Sequence, residues 1–340
     1  MSNIMEMDGS MGEGGGQIFR TSLSMAAISG ARMRIANIRA GRSRPGMLRQ
    51  HLTGLNALHT ICGGDMSGAE LGNTHVEVQF GRARAGEYTF SVGSAGSVFL
   101  VLQTVMWPLL LTDAPSHIVL EGGTHNSGAP CFEFMAETFV PAMAQMGAEL
   151  TMRLERHGFY PAGGGRVVVE LQPLQSWRRV SWLNAGPVTS RSAMALVAAQ
   201  PTGMAMALLN RLGRFEPWRV DEPRPTVVTS SRGPGLALVL SLHREPFAST
   251  VFEPVERRRD GGEAVETAIA QTDALERTEA PVCEHLADQL LIPMALAGGG
   301  EFRTTHISEH TRTNAIVLRQ MLGVRIELAE GENGATVRVG

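Results

Sequence analysis

The first residues that could do chemistry lie in a glycine-rich loop, residues 12–17, which contains Glu13 and a run of three glycines. The loop follows an extended segment and opens a helical one, and helix N-termini bind phosphate through free N–H groups and the helix dipole. A carboxylate repels phosphate unless a cation lies between them, and Mg²⁺ often binds one or two carboxylates together with substrate phosphates. Glu13 is therefore a candidate metal ligand; the alternative is a charge that complements the dipole.

Two histidines near the carboxyl end, His306 and His310, are four residues apart. On one helix this spacing would suit a zinc site, but an extended run precedes the pair and the helical pattern begins only near residue 311. We therefore expect the pair to span a loop, with His310 just before a helix, where its imidazole could attack phosphorus. Gln103, Asp288 and Gln289 interrupt apolar helices, and either a ligand or the protein must supply their polar partners.

The basic residues are unusual because all 30 of them are arginine. Without lysine the chain has no P-loop lysine, no Schiff-base lysine and no lysine that could carry a nucleotide, so a Walker nucleotidase is excluded. Seven arginines and no acidic residue lie between Glu13 and Asp65, namely Arg20, Arg32, Arg34, Arg39, Arg42, Arg44 and Arg49. In a chain of formal net charge −3 this patch predicts a phosphate-bearing ligand, with solvated surface arginines as the alternative.

Composition predicts a soluble cytoplasmic protein. The three cysteines, Cys62, Cys131 and Cys283, have no metal-type spacing and are expected to be free thiols in a reducing compartment. No signal peptide is evident at the start. The longest apolar run, residues 98–111, is too short to span a bilayer, so no membrane partner is expected.

The apolar pattern alternates between strand and helix periods and predicts an α/β (α+β) fold in which a strand–helix–strand–helix–strand–strand unit recurs. The first copy covers residues 4–80, the second residues 88–171, and the third ends at residue 339. Residues 180–280 interrupt the pattern and resemble an inserted smaller α/β domain. We therefore predict a large domain of residues 1–180 plus 279–340 and a small inserted domain of residues 181–278.

Residues 156–165, Arg-His-Gly-Phe-Tyr-Pro-Ala-Gly-Gly-Gly, closely resemble the signature of the RNA 3′-terminal phosphate cyclase family. The resemblance covers essentially the whole chain, because further blocks match in order. These are Asp8-Gly9 with residues 12–17, residues 39–42 with Pro45-Gly46, residues 93–97, residues 287–289, residues 295–298 and the segment around His310.

The resemblance implies three βαβαββ repeats with an inserted small domain, a repeat unit that enolpyruvyl transferases share. It also implies conversion of an RNA 3′-phosphate to a 2′,3′-cyclic phosphate, with ATP giving AMP and pyrophosphate. In that reaction an enzyme histidine takes AMP from ATP, and the RNA 3′-phosphate then takes the AMP. The neighbouring 2′-hydroxyl finally attacks the phosphorus and expels AMP. A homodimer is possible in this family.

The resemblance also assigns roles to residues. The nucleophile falls on His310, the metal-associated acid for Mg²⁺ or Mn²⁺ on Glu13, and the polar lining on Arg20, Arg39, Arg42 and Gln50. The ATP contacts fall on Gln103, Pro130, His285, Leu286, Ala287, Asp288 and Gln289. Where this chain has His285, bacterial relatives often carry a tyrosine whose ring would stack on adenine, so a smaller stacking surface is expected here.

Three other functions are open to such a sequence. A non-catalytic relative that acts in ribosomal RNA processing would lack the family histidine, whereas His310 is present. An enolpyruvyl transferase would use the same repeats without a covalent histidine. A zinc hydrolase would need His306 and His310 to bind one metal.

Overall fold

The computed structural model describes residues 4–219, 222–255 and 260–340. The first repeat comprises β1 (Met5–Asp8), α1 (Gly16–Ser29), β2 (Met33–Ala36), α2 (Arg49–Cys62), β3 (Gly64–Ser67) and β4 (Val76–Phe80). Its sheet has the order β1-β2-β4-β3, with β1 parallel to β2 and the other pairs antiparallel. Strand β3 was not predicted, because its four residues include one large apolar side chain, Met66, and so show no apolar alternation, and because it pairs only at the sheet edge.

The second repeat has the same topology. It comprises β5 (Glu87–Ser91), α3 (Val98–Leu110), β6 (Ser116–Gly122), a helical stretch, β7 (Leu150–Arg156) and β8 (Gly165–Leu171), and its sheet order is β5-β6-β8-β7. The helical stretch consists of α4 (Phe132–Phe134), a π-helical turn (Met135–Phe139) and α5 (Val140–Gln145). The π turn ends next to Pro141, which cannot donate the backbone hydrogen bond that a regular α-helix requires there.

The third repeat is split by the insertion. Strand β9 (Ser181–Trp182) comes first, and the inserted segment follows it. The segment comprises β10 (Ser190–Ala198), α6 (Thr202–Leu212), β11 (Thr226–Val228), β12 (Gly235–His243), β13 (Ser249–Pro254) and α7 (Gly261–Thr278). The four inserted strands form their own sheet, in the order β11-β10-β12-β13, and α6 and α7 pack against it.

The chain then completes the third repeat with α8 (Glu284–Leu296), β14 (Gly300–Thr304), α9 (Glu309–Leu322), β15 (Ile326–Gly331) and β16 (Gly334–Val339). Strand β9 pairs in parallel with β14, so the sheet order β15-β16-β14-β9 repeats that of the other two copies. The predicted fold class of three βαβαββ repeats with an inserted α/β segment is confirmed. The domain division stays a prediction, and β9 pairs with the third sheet although the predicted insertion begins at residue 181.

Helix α1 is enclosed by helices of all three repeats, since it contacts α2, α3 and α9, and α9 in turn contacts α8. Between Gln17 and Ala27 every residue of α1 is buried except Arg20. The buried apolar face, with Phe19 and Leu23 fully inside, contributes roughly 1.5–3 kcal/mol per large side chain. This packing brings the start of α1 next to the first turns of α8 and α9, although these segments are almost 300 residues apart in sequence. Within the described ranges no helix is both long and apolar enough to cross a membrane.

Candidate active site

The glycine loop before α1 closes tightly on the loop that carries Arg42. The Gly14 carbonyl accepts a hydrogen bond from the Gly41 N–H at 3.0 Å, and Gly14 has a left-handed φ of 57°. A Cβ on Gly15 would overlap the carboxylate of Glu13, so a side chain there would displace that group. The Arg42 guanidinium donates to Glu13 Oε2 at 2.8 Å. The glycines therefore let the loop hold Glu13 against Arg42.

His310 lies in the first turn of α9, because the helix begins at Glu309, two residues earlier than the sequence pattern predicts. The helix begins at Glu309 because the Ser308 hydroxyl caps it, accepting from the Thr311 N–H at 3.2 Å. The His310 side chain is 52% exposed, so its ring is open to a ligand. His306 lies outside the helix and pairs with Glu284 at 2.7 Å. The two histidines therefore occupy different environments, which disfavours a shared zinc site.

Two side chains, Glu13 and Gln17, contact Nδ1 of the His310 ring, and Asp288 contacts Gln17 behind it. We call these four residues the His310 cluster. His310 Nδ1 lies 2.9 Å from Gln17 Oε1 and 3.2 Å from Glu13 Oε2. The Gln17 amide nitrogen donates to Asp288 Oδ2 at 2.5 Å, which fixes Oε1 as the amide atom that faces the imidazole. Because both neighbours of Nδ1 are acceptors, Nδ1 carries the proton and Nε2 carries the lone pair.

The cluster perturbs the ionisation of its own members. The hydrogen bond to Glu13 raises the pKa of His310, although partial burial opposes this. Burial opposes ionisation of Glu13, but the contact with His310 and the charges of Arg42 and Arg20 lower its pKa. Burial raises the pKa of Asp288 to about 6. Strongly shifted groups beside a cavity are typical of functional sites.

Two polar residues that the sequence analysis did not assign to the site, Asn314 and His51, lie beside it. Asn314 ties three helices together, since it accepts from Thr21 at 2.8 Å and donates to the Asp288 carbonyl at 2.7 Å. His51 faces the glycine loop at Gly16. Its pKa is lowered to about 3, chiefly by burial and further by the positive charges of Arg20 and Arg39. The only available signal was position: Asn314 is four residues after His310, and His51 follows Gln50.

A cavity of about 350 Å³ opens beside the His310 ring, between the repeats and the inserted segment. Seven of the predicted residues line it, namely Arg20, Gln103, Pro130, His285, Asp288, Gln289 and His310. The inserted segment supplies part of the wall, including Thr250, Phe252, Glu253, Pro254 and Gln271. No local sequence pattern indicates this contribution, because the wall forms only when β13 and α7 pack beside the repeats.

Gln103, the polar residue within the apolar helix α3, finds a hydrogen-bond partner in α8 across the cavity wall. Gln103 donates to Gln289 Oε1 at 2.6 Å, and Gln289 donates to the His285 carbonyl at 2.5 Å. Arg20 projects from the otherwise buried face of α1, and burial lowers its pKa to about 10. Its guanidinium stays charged at neutral pH and lies near both Asp288 and Glu13. The cavity therefore holds one enclosed cation and a row of amides.

Six predicted site residues do not belong to the lining of this cavity. Two of them lie beside it, since Glu13 contacts His310 Nδ1 and Arg42 contacts Glu13, and the other four are Arg39, Gln50, Leu286 and Ala287. Leu286 and Ala287 are buried in the core of α8. Arg39, at a positive φ of 57°, donates to the carbonyls of Arg44 and Gly46 at 2.6 and 2.9 Å, and it thereby holds its own loop together. Gln50 accepts from the Ser97 N–H at 3.1 Å and links α2 to the start of α3. The assignment of all thirteen predicted residues to an active site stays a prediction.

A second cavity, of about 390 Å³, lies at the other end of α1 beside Gly30, Phe80 and Leu111. Its lining contains one charged residue, Arg82, and no carboxylate or imidazole. Its hydroxyl groups, from Ser29 and Thr112, have no imidazole or carboxylate beside them in the lining that could act as their base, so we place the candidate site in the cavity beside His310.

Comparisons with known proteins identify the family of the chain. A family model described as RNA 3′-terminal phosphate cyclase matches residues 11–328 of the chain. The chain belongs to the RNA 3′-terminal phosphate cyclase family. This membership confirms both the family resemblance and the enzyme class predicted from the sequence.

Similar proteins named RNA 3′-terminal phosphate cyclase match along nearly their full length. The protein of Koribacter versatilis is 42% identical over 98% of this chain and 94% of its own. That of Ectopseudomonas mendocina is 42% identical over 95% and 94%, and that of Salmonella enteritidis is 39% identical over 100% and 99%. The solved structure of the enolpyruvyl transferase NikO from Streptomyces tendae matches 100% of this chain and 82% of its own at 14% identity and a TM-score of 0.28.

Proposed function

We propose that this protein converts the 3′-phosphate end of an RNA to a 2′,3′-cyclic phosphodiester, using ATP and releasing AMP and pyrophosphate. The observation that carries the proposal is the His310 ring. Its Nδ1 is held between Gln17 and Glu13 while Nε2 is the nitrogen left for attack. In a chain without lysine, imidazole is the nitrogen nucleophile that is neutral near pH 7.

In the first step His310 Nε2 attacks the α-phosphorus of ATP, a phosphorus–nitrogen bond forms and the bond to pyrophosphate breaks. The ring then carries a positive charge while Nδ1 keeps its proton. Glu13 stabilises this imidazolium directly, and Gln17 holds the ring in place through its bond to Asp288. The cluster thus favours the charged intermediate more than the free imidazole.

In the second step an oxygen of the RNA 3′-phosphate attacks the phosphorus on His310 and takes the AMP, which returns the imidazole to its neutral form. In the third step the adjacent 2′-hydroxyl attacks the 3′-phosphorus and expels AMP. Arg20 lines the cavity and Arg42 donates a hydrogen bond to Glu13. In this proposal both guanidinium groups stabilise the negative charge on the transferring phosphoryl groups.

The cavity walls suit an adenosine. His285 is exposed on one side and Pro130 and Phe252 contribute flat apolar surface, so a base can lie among them. The amides of Gln103 and Gln289 hydrogen-bond to each other, and the bound base or sugar can replace that bond with hydrogen bonds of its own. We assign ATP binding to these residues together with Asp288.

We also propose Glu13 as the ligand of a divalent ion, Mg²⁺ or Mn²⁺. Its lowered pKa keeps it ionised at neutral pH, and a single carboxylate beside phosphates is the donor set that Mg²⁺ accepts. When bound, the ion neutralises phosphate charge and aids departure of pyrophosphate. We further propose a cytoplasmic location, in keeping with three free, buried cysteines, and homodimer formation stays a prediction.

The test uses ATP labelled at the α-phosphate. The wild-type protein should acquire label that acid removes and base does not, as expected for a phosphorus–nitrogen bond, and should cyclise an RNA 3′-phosphate. His310→Asn should acquire no label and should not cyclise that RNA. It should still cyclise an RNA that already carries AMP, because the last step needs only positioning.

His306→Ala is the matched control, because His306 is nearby in sequence but pairs with Glu284. It should be labelled like the wild type. Retention of label by His310→Asn would overturn the covalent mechanism, and loss of label only in His306→Ala would reassign the nucleophile.

A further inference from the structure

A second imidazole–carboxylate group lies where the second repeat meets the inserted segment. His125 follows β6, Glu133 lies in α4, and His157 follows β7 in the segment that resembles the family signature. We call these three residues the His125 cluster. One potential ligand atom from each residue lies within 4.8 Å of the other two, although the residues belong to three separate elements.

The cluster is enclosed and its geometry is well defined. His125 is 2% exposed and Glu133 is 7% exposed, and His125 Nε2 lies 2.8 Å from Glu133 Oε2. The rings of His125 and His157 have centroids 5.1 Å apart. Two imidazoles bound to one tetrahedral zinc, at Zn–N distances of about 2.0–2.1 Å, place their ring centroids roughly 5 Å apart. Small movements would therefore bring all three ligand atoms onto one ion.

The surroundings of His125 also match those of a metal-bound histidine. Its second nitrogen, Nδ1, lies 2.8 Å from Thr124 Oγ1, and that hydroxyl also accepts the Gly158 N–H at 2.9 Å. Metal-ligating histidines commonly use the second nitrogen for such an orienting hydrogen bond. If Nδ1 donates to Thr124, Nε2 presents its lone pair toward Glu133, and a cation between the two resolves the repulsion.

Charge favours the same conclusion, because the carboxylate of Glu133, a buried residue, lies within 4.8 Å of imidazole nitrogens from two histidines. An enclosed carboxylate is costly unless a positive charge compensates it, and a divalent cation supplies that charge.

We propose that the His125 cluster is a binding site for one zinc ion, separate from the active site. Two histidines and one glutamate are a donor set that suits zinc-class transition metals, whereas Mg²⁺ and Ca²⁺ prefer oxygen ligands. None of the three residues belongs to the described lining of the cavity beside His310.

The ion would act on the nucleotide site through the wall between them. Residues 127–131 join His125 to Glu133 and line that cavity, and Phe252 packs edge-on against His125 at a centroid distance of 5.8 Å while lining the cavity with its own side chain. Zinc would therefore fix the loop that contains Pro130 against the inserted segment. This second part of the inference rests on the proposed use of ATP; zinc binding itself does not.

Metal binding is tested on the full chain stripped with a chelator, dialysed against Zn²⁺ and assayed by elemental analysis. We expect about one zinc per chain in the wild type and a raised melting temperature. The Co²⁺-substituted protein should show the visible absorption of a four- or five-coordinate ion, and X-ray absorption of the zinc protein should count two imidazoles. Absence of zinc from the wild type, or a metal bound only by water and carboxylate, would overturn the proposal.

Variants locate the site. His157→Ala, a change at the half-buried ligand, should lose the zinc and the Co²⁺ absorption while its circular dichroism remains native. His306→Ala and Glu13→Ala should keep both, which distinguishes this site from surface histidines and from the metal position beside His310. Zinc retained by His157→Ala would place it elsewhere. If His157→Ala does not fold, the imidazole count on the wild-type protein decides the question.

The coupling to the active site is measured by titrating ATP in the labelling reaction with Mg²⁺ present throughout. Stripped protein should need a several-fold higher ATP concentration than zinc-loaded protein, and zinc should not change the ATP requirement of His157→Ala. Equal ATP requirements with and without zinc would overturn the coupling while leaving the metal site intact.

Discussion

The His310 cluster and the His125 cluster both set an imidazole against a glutamate, but they differ in how much of the ring is enclosed. The side chain of His310 is 52% exposed and is held from its Nδ1 side, whereas that of His125 is fully buried with a partner on each nitrogen. A half-open ring with one oriented nitrogen can attack a substrate and be released again. An enclosed ring can only hold structure or bind an ion, so burial rather than residue type separates the two roles.

Stability should show the largest difference between the clusters. Leaving a buried polar group without its hydrogen-bond partner typically costs about 1–3 kcal/mol, and more for a charged group, so His125→Asn should lower the free energy of unfolding by about 3 kcal/mol or more. His310→Asn removes a half-exposed group, and its cost should stay below about 1 kcal/mol. Urea unfolding of metal-free protein at pH 7.5 measures both values. Equal losses would mean that burial does not separate the clusters.

Asp288 should show the cost of keeping a carboxylate in the His310 cluster. Its pKa of about 6 lies above the ordinary value of 3.8, so the stability it contributes is complete below about pH 4 and is lost as the pH rises through 6. Asp288→Asn should therefore be more stable than the wild type by about 1–3 kcal/mol at pH 7.5, with the difference disappearing near pH 4. Labelling with AMP should nevertheless fall.

Urea unfolding at the two pH values gives the comparison. Asp8→Asn is the matched control, because hydrogen bonds from Ser10 and Asn37 lower the pKa of Asp8 and the sign is reversed. That variant should lose stability at pH 7.5 and not gain it. If Asp288→Asn is no more stable than the wild type at pH 7.5, then the ionised Asp288 does not destabilise the folded protein.

The smallest effect should be the pH dependence of AMP transfer to the protein. Attack requires a neutral His310, whose pKa is raised by Glu13, so the single-turnover labelling rate should fall about tenfold per pH unit on the acid side. Glu13→Gln removes the charge that raises the pKa, so its acid limb should shift to lower pH although its maximum rate is lower. An unshifted limb would show that Glu13 acts on metal or phosphate alone and does not tune the imidazole.

The repeat pattern and the available side-chain chemistry follow from the sequence alone. Alternating strand and helix periods predicted the recurring units, and the resemblance carried by residues 156–165 and the block around His310 implied nucleotide transfer to histidine, with which the absence of lysine agrees. These properties are local, since periodicity, turn residues and residue types are set by short segments. Strand β3 was missed because a four-residue edge strand with one large apolar residue has no such local pattern.

Which of these residues lie side by side depends on the tertiary structure. Gln17 and Asp288 come from α1 and α8, His310 comes from α9, and they meet because helices of different repeats pack around α1. The packing of the inserted segment beside the repeats likewise places Phe252 in the cavity wall. Contacts between segments far apart in sequence depend on packing geometry, which no short stretch of sequence encodes. For the same reason His125, Glu133 and His157 showed no common pattern until the fold brought their side chains within reach of one ion.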